Sequence, residues 1–372
     1  MQKKTRIGID CRLAGKKHAG IGRYIKNLVK RLPKKSNIKW VLFFYDQAQA
    51  DEILNSSPFS GEVRLTPIRH YSLAEQLKLP KIFKQANLDL LHVPHFNIPI
   101  FYSGKLIVTI HDLLWHQQKG TSVTTLPKWQ YWLKYWAYKF VTKQAIKKSL
   151  KVIVPSETIK KTISNYYPKT KNKVLVIKEG VSKKFSLDSA RDKQKNNNYN
   201  LLYVGSLYPH KNLKLIFKAL QKMPDYKLNI VSTRDAFAIN TEKLAVKLKV
   251  ESQVDFLGYV SDKKLIKLYQ NSFALVQPSL SEGFGLTGVE AMASGCPVLA
   301  SNIAVFKEIY SDAAIYFDPQ NTNSFINAVQ KLEKSQKAKI IKKGIKQVGQ
   351  YDWDKMVKKI IELYRKIIEE KK

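Results

Sequence analysis

Short runs of β-branched and aliphatic residues alternate, along almost the whole chain, with longer stretches whose apolar positions recur every three or four residues. In the first half the runs Arg6–Cys11, Lys39–Tyr45, Val63–Ile68, Leu88–His92, Lys105–Ile110, Lys151–Val154 and Lys173–Lys178 read as strands. Ile21–Leu32, Leu73–Gln85 and Pro127–Leu150 read as helices between them. A polar, aliphatic-poor stretch, Ser186–Asn200, then carries Lys193-Gln194-Lys195-Asn196-Asn197-Asn198 and reads as a linker. The rhythm resumes with strands Leu201–Gly205, Lys227–Val231, Val254–Tyr259, Phe273–Gln277, Pro297–Ala300 and Ala314–Phe317, and the chain closes on a helical stretch, Asp352–Glu370. This alternation predicts an α/β fold of mostly parallel sheets covered by helices. The expected division is a first domain over 1–185, a linker over 186–199, a second domain over 200–351 and a closing helix over 352–372.

Length agrees with that division, because 372 residues are too many for one ordinary core. Hydrophobic residues make up 44%, enough for both domains to bury a core. The two cysteines, Cys11 and Cys296, fall in different expected domains and read as unpaired, small apolar residues in a reducing compartment. No apolar stretch approaches the roughly 20 residues needed to span a bilayer. The first strand begins without the apolar run of a signal peptide. The expected location is therefore the cytoplasm.

Charge changes the picture. The net charge is +36, and residues 1–182 hold 33 Lys and Arg against 10 Asp and Glu. Such a field draws anionic partners, either nucleic acid or an acidic membrane leaflet. Nucleic acid is not expected, because there is no zinc-finger cysteine spacing, no basic helix with a zipper and no RNA-recognition aromatic motif. A lysine-rich composition, with matching Asn and Ile, accounts for part of the total.

The densest chemistry lies in Ser281-Glu282-Gly283-Phe284-Gly285-Leu286-Thr287-Gly288-Val289-Glu290, which joins an expected strand to an expected helix. Gly295 stands where a helix C-terminal glycine belongs, and Pro297 restarts a strand. Backbone amides around Gly283–Thr287 can face an anion beside a helix N-terminus. Glu282 lies before the corner and Glu290 about one turn inside the helix, so each can accept from hydroxyls of a ligand whose phosphate lies between them. That is the chemistry of a nucleotide-sugar site. A dinucleotide-dependent dehydrogenase fits less well: Gly20-Ile21-Gly22 sits at a strand-to-helix junction, but the third glycine position holds Ile25 and the loop is too long.

The two spaced glutamates resemble the signature of family 4 glycosyltransferases. Further matches are Ile7-Gly8-Ile9-Asp10-Cys11-Arg12-Leu13, Gly20-Ile21-Gly22-Arg23-Tyr24, Leu91-His92-Val93-Pro94-His95, Val108-Thr109-Ile110-His111-Asp112-Leu113, Val204-Gly205-Ser206-Leu207-Tyr208-Pro209-His210-Lys211-Asn212 and Tyr351-Asp352-Trp353. They run in order from about residue 6 to residue 365 and resemble the mannosyltransferase-like branch. The resemblance implies two Rossmann-like domains facing each other across a cleft, the GT-B type, with the C-terminal helix returning to the first domain. It also implies a retaining, metal-independent hexosyltransferase, with the acceptor held by the first domain and the donor by the second. GDP-mannose is the favoured donor, and a glycan or lipid-linked molecule of cell-surface polysaccharide or glycolipid synthesis the acceptor. The alternatives are a UDP-sugar-dependent glucosyl- or N-acetylhexosaminyltransferase, and a non-catalytic nucleotide-sugar-binding membrane scaffold.

By the same resemblance, Glu290 binds the ribose hydroxyls, Glu282 lies beside the hexose, Lys211 meets the pyrophosphate and His111 contacts a distal hexose hydroxyl. Gly20, Gly22, Gly205, Ser206, Gly283, Phe284, Gly285, Leu286 and Thr287 complete the donor site, and Arg12 and Asp112 serve the acceptor or orient other groups. Asp112 is a candidate to orient His111, or else a turn cap. Ser206 stands where many relatives place an arginine, so His210, when protonated, is the candidate for a second positive charge. Thr287 stands where the family often has proline. Asp352-Trp353-Asp354 matches a two-aspartate metal signature of another fold, but it opens a helix rather than following a strand; no metal and no cofactor are expected.

One helix is set apart by its aromatic content. Trp129, Trp132, Trp136 and Phe140 fall on one stripe, Ala137, Val141 and Ala145 on another, and Lys139, Lys143 and Lys147 extend from the aromatic side. With the small residues packed inward, the aromatic stripe faces a lipid surface or the acceptor, with lysines on headgroups. Lys78, Lys81 and Lys84 add to that side. The expectation is peripheral association with an anionic membrane, at the inner face of the cytoplasmic membrane.

Overall fold

A computed structural model describes residues 4–34, 37–55, 59–117, 120, 127–186, 199–233, 237–334 and 337–370. The expected linker, 186–199, lies almost wholly outside the described residues.

The strands are β1 (Thr5–Asp10), β2 (Ile38–Phe44), β3 (Glu62–Leu65), β4 (Leu90–Val93), β5 (Leu106–Thr109), β6 (Val152–Val154), β7 (Val174–Val176), β8 (Asn200–Val204), β9 (Lys227–Val231), β10 (Val254–Gly258), β11 (Ala274–Gln277), β12 (Val298–Ser301) and β13 (Ile315–Phe317). The helices are α1 (Ala19–Lys30), α2 (Gln47–Leu54), α3 (Leu73–Gln85), α4 (Leu114–Gln117), α5 (Lys128–Lys148), α6 (Glu157–Tyr166) and α7 (Leu213–Leu220). They continue as α8 (Ala238–Lys247), α9 (Asp262–Asn271), α10 (Leu286–Ala293), α11 (Ala304–Tyr310), α12 (Thr322–Lys334), α13 (Lys337–Val348) and α14 (Trp353–Glu369).

Two compact units result. The first comprises residues 1–116, 132–179 and 353–372, and the second residues 117–131 and 180–352. The first unit's sheet has the order β3-β2-β1-β4-β5-β6-β7 and the second's the order β10-β9-β8-β11-β12-β13. Every strand pair is parallel. The central strands are apolar at consecutive positions because helices cover both faces; β4 and β11 are buried along their whole length. Serines set several helix starts: Ser72, Ser156 and Ser261 each accept from a backbone amide of the following turn.

The closing helix α14 belongs to the first unit. Its Tyr364 hydroxyl lies 2.6 Å from Nδ1 of the buried His92, whose Nε2 lies 2.8 Å from Thr109 Oγ1. Trp353 meets the ring of Tyr24 edge-on, and Asp354 accepts from Arg31 at 2.7 Å. Burial and a nearby His111 push His92 down to about 3, so it anchors this helix as a neutral ring. Cys11 and Cys296 are both buried and free.

Candidate functional site

In the second unit the site is built on two loops at the C-terminal edge of neighbouring strands, where ligands bind in open α/β sheets. The loop after β8 passes through Gly205 and Ser206 to a tight turn at Pro209–Lys211. Asn212 ends that turn in the left-handed region, φ 59°, and its Nδ2 donates to the carbonyls of Pro278 and Pro319. This fixes Lys211 beside the loop that follows β11. There Lys211 Nζ lies 2.5 Å from Glu282 Oε1, which also accepts from Ser279 Oγ at 2.9 Å. Burial alone would raise the carboxyl of Glu282, but Lys211 and, to a lesser degree, His210 and Ser279 hold it below the ordinary range.

The same loop enters α10 through Gly285, at φ 88°. A Cβ there would come within 2.1 Å of the Tyr310 hydroxyl, so only glycine fits. Tyr310 OH lies 2.6 Å from both Gly285 O and Gln277 Oε1, and Gln277 Nε2 donates to Thr287 Oγ1 at 2.9 Å. Among the described residues no side chain caps the start of α10, where the Gly288 and Val289 amides turn back to Gly285 O. Glu290 follows one turn further in and is 2% exposed. The arrangement offers a helix N-terminus and a lysine for phosphate, and two carboxylates for hydroxyls.

Not every expected donor residue presents its side chain in the same way. Phe284 is buried in the core, edge-on to Tyr351, so only its backbone faces the corner. Gly205 donates its amide to Val231 O, and the Ser206 carbonyl accepts from Tyr203 OH. His210 requires a correction: it is buried, and burial with the adjacent Lys211 pushes it down to about 4. A neutral imidazole supplies no second cation at neutral pH.

In the first unit, α1 begins two residues earlier than its apolar pattern suggests, taking both Gly20 and Gly22 into its first turn. A Cβ on Gly22 would lie 2.0 Å from the Gly15 carbonyl, so the fold itself demands glycine there; a Cβ on Gly20 would meet nothing within 4 Å among the described residues. Arg12 is 1% exposed, its guanidinium spent on Asp10, Glu75 and the Ile68 carbonyl. It orients the loop at residues 68–72 through Glu75, which accepts from the Tyr71 amide.

His111 leaves the end of β5 and is oriented by Glu179, not by Asp112. His111 Nδ1 lies 3.0 Å from Glu179 Oε1, whereas Asp112 Oδ1 accepts from the Leu114 amide and caps α4. Glu179 escaped the sequence reading because it sits 68 residues from His111 outside any recognised motif. Only the order β5-β6-β7 brings the two strand ends together.

On α5 the aromatic stripe is exposed: Trp129 69%, Trp132 43%, Trp136 64% and Phe140 51%. The inward side is not the expected small-residue stripe, since Ala137 is exposed and Tyr131, Tyr135, Thr142, Ala145 and Ile146 are buried. Of the expected stripe only Ala145 is buried, and the rings of Tyr131 and Tyr135 fill much of the inward side. Lys143 and Lys147 are exposed, and Lys139 Nζ lies 4.9 Å from the Tyr166 ring centre.

Residues 18–185 match the family described as Glycosyltransferase Family 4, and residues 186–348 match Glycosyl transferases group 1. The O-antigen chain mannosyltransferase RfbU of Salmonella typhimurium is 31% identical over 79% of this chain and 78% of its own length. The chain belongs to the family 4, group 1 glycosyltransferases. The O-antigen chain mannosyltransferase B of Escherichia coli is 24% identical over 93% of this glycosyltransferase and 96% of its own length. Among solved structures, Anabaena Alr3699/HepE in complex with UDP and glucose superimposes with a TM-score of 0.74 at 18% identity, covering 97% of this chain and 99% of that one. The shared architecture is two parallel-sheet α/β domains of the GT-B type.

Proposed function

We propose that this glycosyltransferase is a retaining mannosyltransferase that takes GDP-mannose as donor and a glycan or lipid-linked acceptor of cell-surface polysaccharide synthesis. The observation that carries the reading is the Lys211–Glu282 pair beside the uncapped start of α10. The two mannosyltransferase relatives support the choice of hexose. In this reading Glu290 binds the ribose hydroxyls, Glu282 the hexose, and Lys211 with the amides of residues 283–287 the diphosphate. Thr287, held by Gln277, keeps the corner in shape. His111 takes a distal hexose hydroxyl, and Gly20 leaves room for the donor.

The bond between the anomeric carbon and the phosphate oxygen breaks, and an acceptor hydroxyl bonds to that carbon on the same face. The acceptor's proton passes to the departing phosphate oxygen. Lys211 offsets the charge growing on the diphosphate, and Glu282 the positive charge growing at the anomeric carbon. The chemistry uses no metal. The exposed aromatic and lysine side of α5 rests on an anionic membrane at the inner face of the cytoplasmic membrane, where a lipid-linked acceptor is presented.

The test is a thermal-shift panel of GDP-, UDP- and ADP-sugars, followed by transfer with the best binder and assignment of the product's anomeric configuration by NMR. Stabilisation by GDP-mannose and a product retaining the α configuration are expected. Preference for UDP-glucose or UDP-N-acetylhexosamine would replace the donor, and an inverted product would overturn the mechanism.

A further inference from the structure

Glu179 and His111 emerge at the C-terminal edge of the first sheet, from the ends of β7 and β5 on either side of β6. The Ile110 amide bonds to Ile153 O and the Ile177 amide to Val154 O, so both strand ends are fixed to β6 between them. Glu179 is 5% exposed and the His111 side chain 12%. Tyr24 packs edge-on against the imidazole with ring centres 4.8 Å apart, and its own hydroxyl is tied to Thr109 at 3.1 Å. The ring is therefore held by its packing against Tyr24 and by one nitrogen. Its other nitrogen, Nε2, is buried and has no hydrogen-bond partner among the described residues. A buried polar atom without a partner is costly, and such atoms are rare unless a ligand satisfies them.

A carboxylate accepts hydrogen bonds and cannot donate them, so the neutral ring must carry its proton on Nδ1 to pair with Glu179. In water the Nε2-protonated form of histidine predominates, and the contact reverses that preference. We propose that Glu179 is a positioning residue that locks His111 as the Nδ1-protonated tautomer, so that Nε2 presents a lone pair to a hydroxyl of the bound sugar. This rests on the reading of His111 as a hexose contact. The unprotonated nitrogen selects a donor group on the ligand, which a hydroxyl supplies and a phosphate oxygen does not. Asp112, next to His111 in sequence, turns its Oδ1 to the Leu114 amide at the start of α4, while Nδ1 of the ring is paired with Glu179.

The test uses the full chain labelled with 15N-histidine at pH 8, with the His111 signals assigned by their loss in His111→Asn. The glutamine variant Glu179→Gln keeps the shape of the side chain, but an amide can either accept from Nδ1–H or donate to a bare Nδ1. The native ring is expected to be protonated on Nδ1, and Glu179→Gln to move it toward the Nε2-protonated form while the other six histidines keep their signals. With GDP-mannose, kcat/KM should fall about tenfold or more, since Nε2 then carries a proton in place of the lone pair offered to the sugar hydroxyl. A native ring protonated on Nε2, or a ring unmoved in Glu179→Gln, would overturn the lock. So would a flipped ring with normal turnover, because the pair would then be a fold contact only. A native protein with the expected ring signals but no transfer from GDP-mannose would uphold the lock and overturn the donor assignment instead.

Discussion

Lys211 and Glu282, 71 residues apart in the chain, meet at 2.5 Å with side chains only 17% and 18% exposed. Each neutralises the other. In the proposed reading, a sugar diphosphate gives the lysine a stronger anionic partner and leaves the carboxylate for the hexose. The pair thus keeps both charges ready without burying either alone.

Lys211→Ala should therefore do two things. Activity should drop at least tenfold, because the charge on the departing diphosphate loses its cation, and such an interaction contributes roughly 1.5–3 kcal/mol. The carboxyl of Glu282, freed from its main stabilising charge, should also titrate higher than in the native protein. Turnover with GDP-mannose and calorimetric pH titration measure the two. Normal turnover at saturating donor would show that other groups hold the phosphates.

Glu290→Gln tests the ribose contact. The side chain keeps its shape inside α10, where it is 2% exposed, so the fold should persist. Losing charge-assisted hydrogen bonds should weaken GDP binding by roughly 1.5–3 kcal/mol, about tenfold to a hundredfold in Kd. Unchanged affinity in titration calorimetry would remove Glu290 from the site.

Gly285→Ala should damage the corner more than its size suggests. The new methyl would meet the Tyr310 hydroxyl at 2.1 Å, and φ 88° already disfavours any residue with a Cβ. Since Tyr310 also bonds Gln277, which holds Thr287, the displacement spreads to the start of α10. Loss of nucleotide binding with a lowered Tm is expected. Pairing Gly285→Ala with Tyr310→Phe removes the clashing oxygen and should recover part of the Tm. An equal Tm for the single and double variants would place the strain elsewhere.

These positions differ in how far they were legible in the sequence. The strands were visible because burial on both faces forces continuous apolar runs, and the corner because Gly285 and two spaced glutamates are local features. The Lys211–Glu282 contact depends on β8 and β11 being neighbours, and the His111–Glu179 contact on β5-β6-β7 adjacency. Neither leaves a local pattern. The inward side of α5 was misread because aromatic residues occur on several of its faces, so periodicity could not separate buried Tyr131 and Tyr135 from exposed Trp132 and Trp136. His210 was misjudged because a motif gives position along the chain but not burial.

Acid should destabilise the protein through its buried histidines. Burial lowers His92 to about 3 and His116 and His210 to about 4, all below the ordinary 6.5. The unfolded chain therefore takes up more protons between about pH 6.5 and 4, and stability falls as pH falls through that window. Glu282, held low mainly by Lys211 against the effect of burial, adds to the loss below its ordinary 4.5. Tm should drop steadily from pH 7 to pH 5. A Tm that holds or rises over that range would mean these histidines are charged in the folded protein.

The membrane reading makes the last prediction. No helix among the described residues is long and apolar enough to cross a bilayer. On α5, exposed Trp129, Trp132, Leu133, Trp136 and Phe140 provide apolar insertion, and Lys143 and Lys147 stand out toward solvent. Each lysine near an acidic bilayer contributes about 1 kcal/mol, an attraction that decays over roughly 8 Å at physiological salt. Binding to phosphatidylglycerol vesicles should therefore exceed binding to phosphatidylcholine vesicles and weaken as salt rises. Replacing Lys139, Lys143 and Lys147 by Ser should reduce sedimentation with the acidic vesicles. Because Lys139 also lies over Tyr166, the Lys143 and Lys147 double variant is the cleaner comparison. Trp136→Ser should weaken binding even at high salt, since its contribution is apolar. GDP affinity should stay unchanged in all three, as none alters the corner at Gly285. If they sediment with acidic vesicles as well as the parent does, α5 is not the docking face and the excess charge of residues 1–182 reflects composition alone.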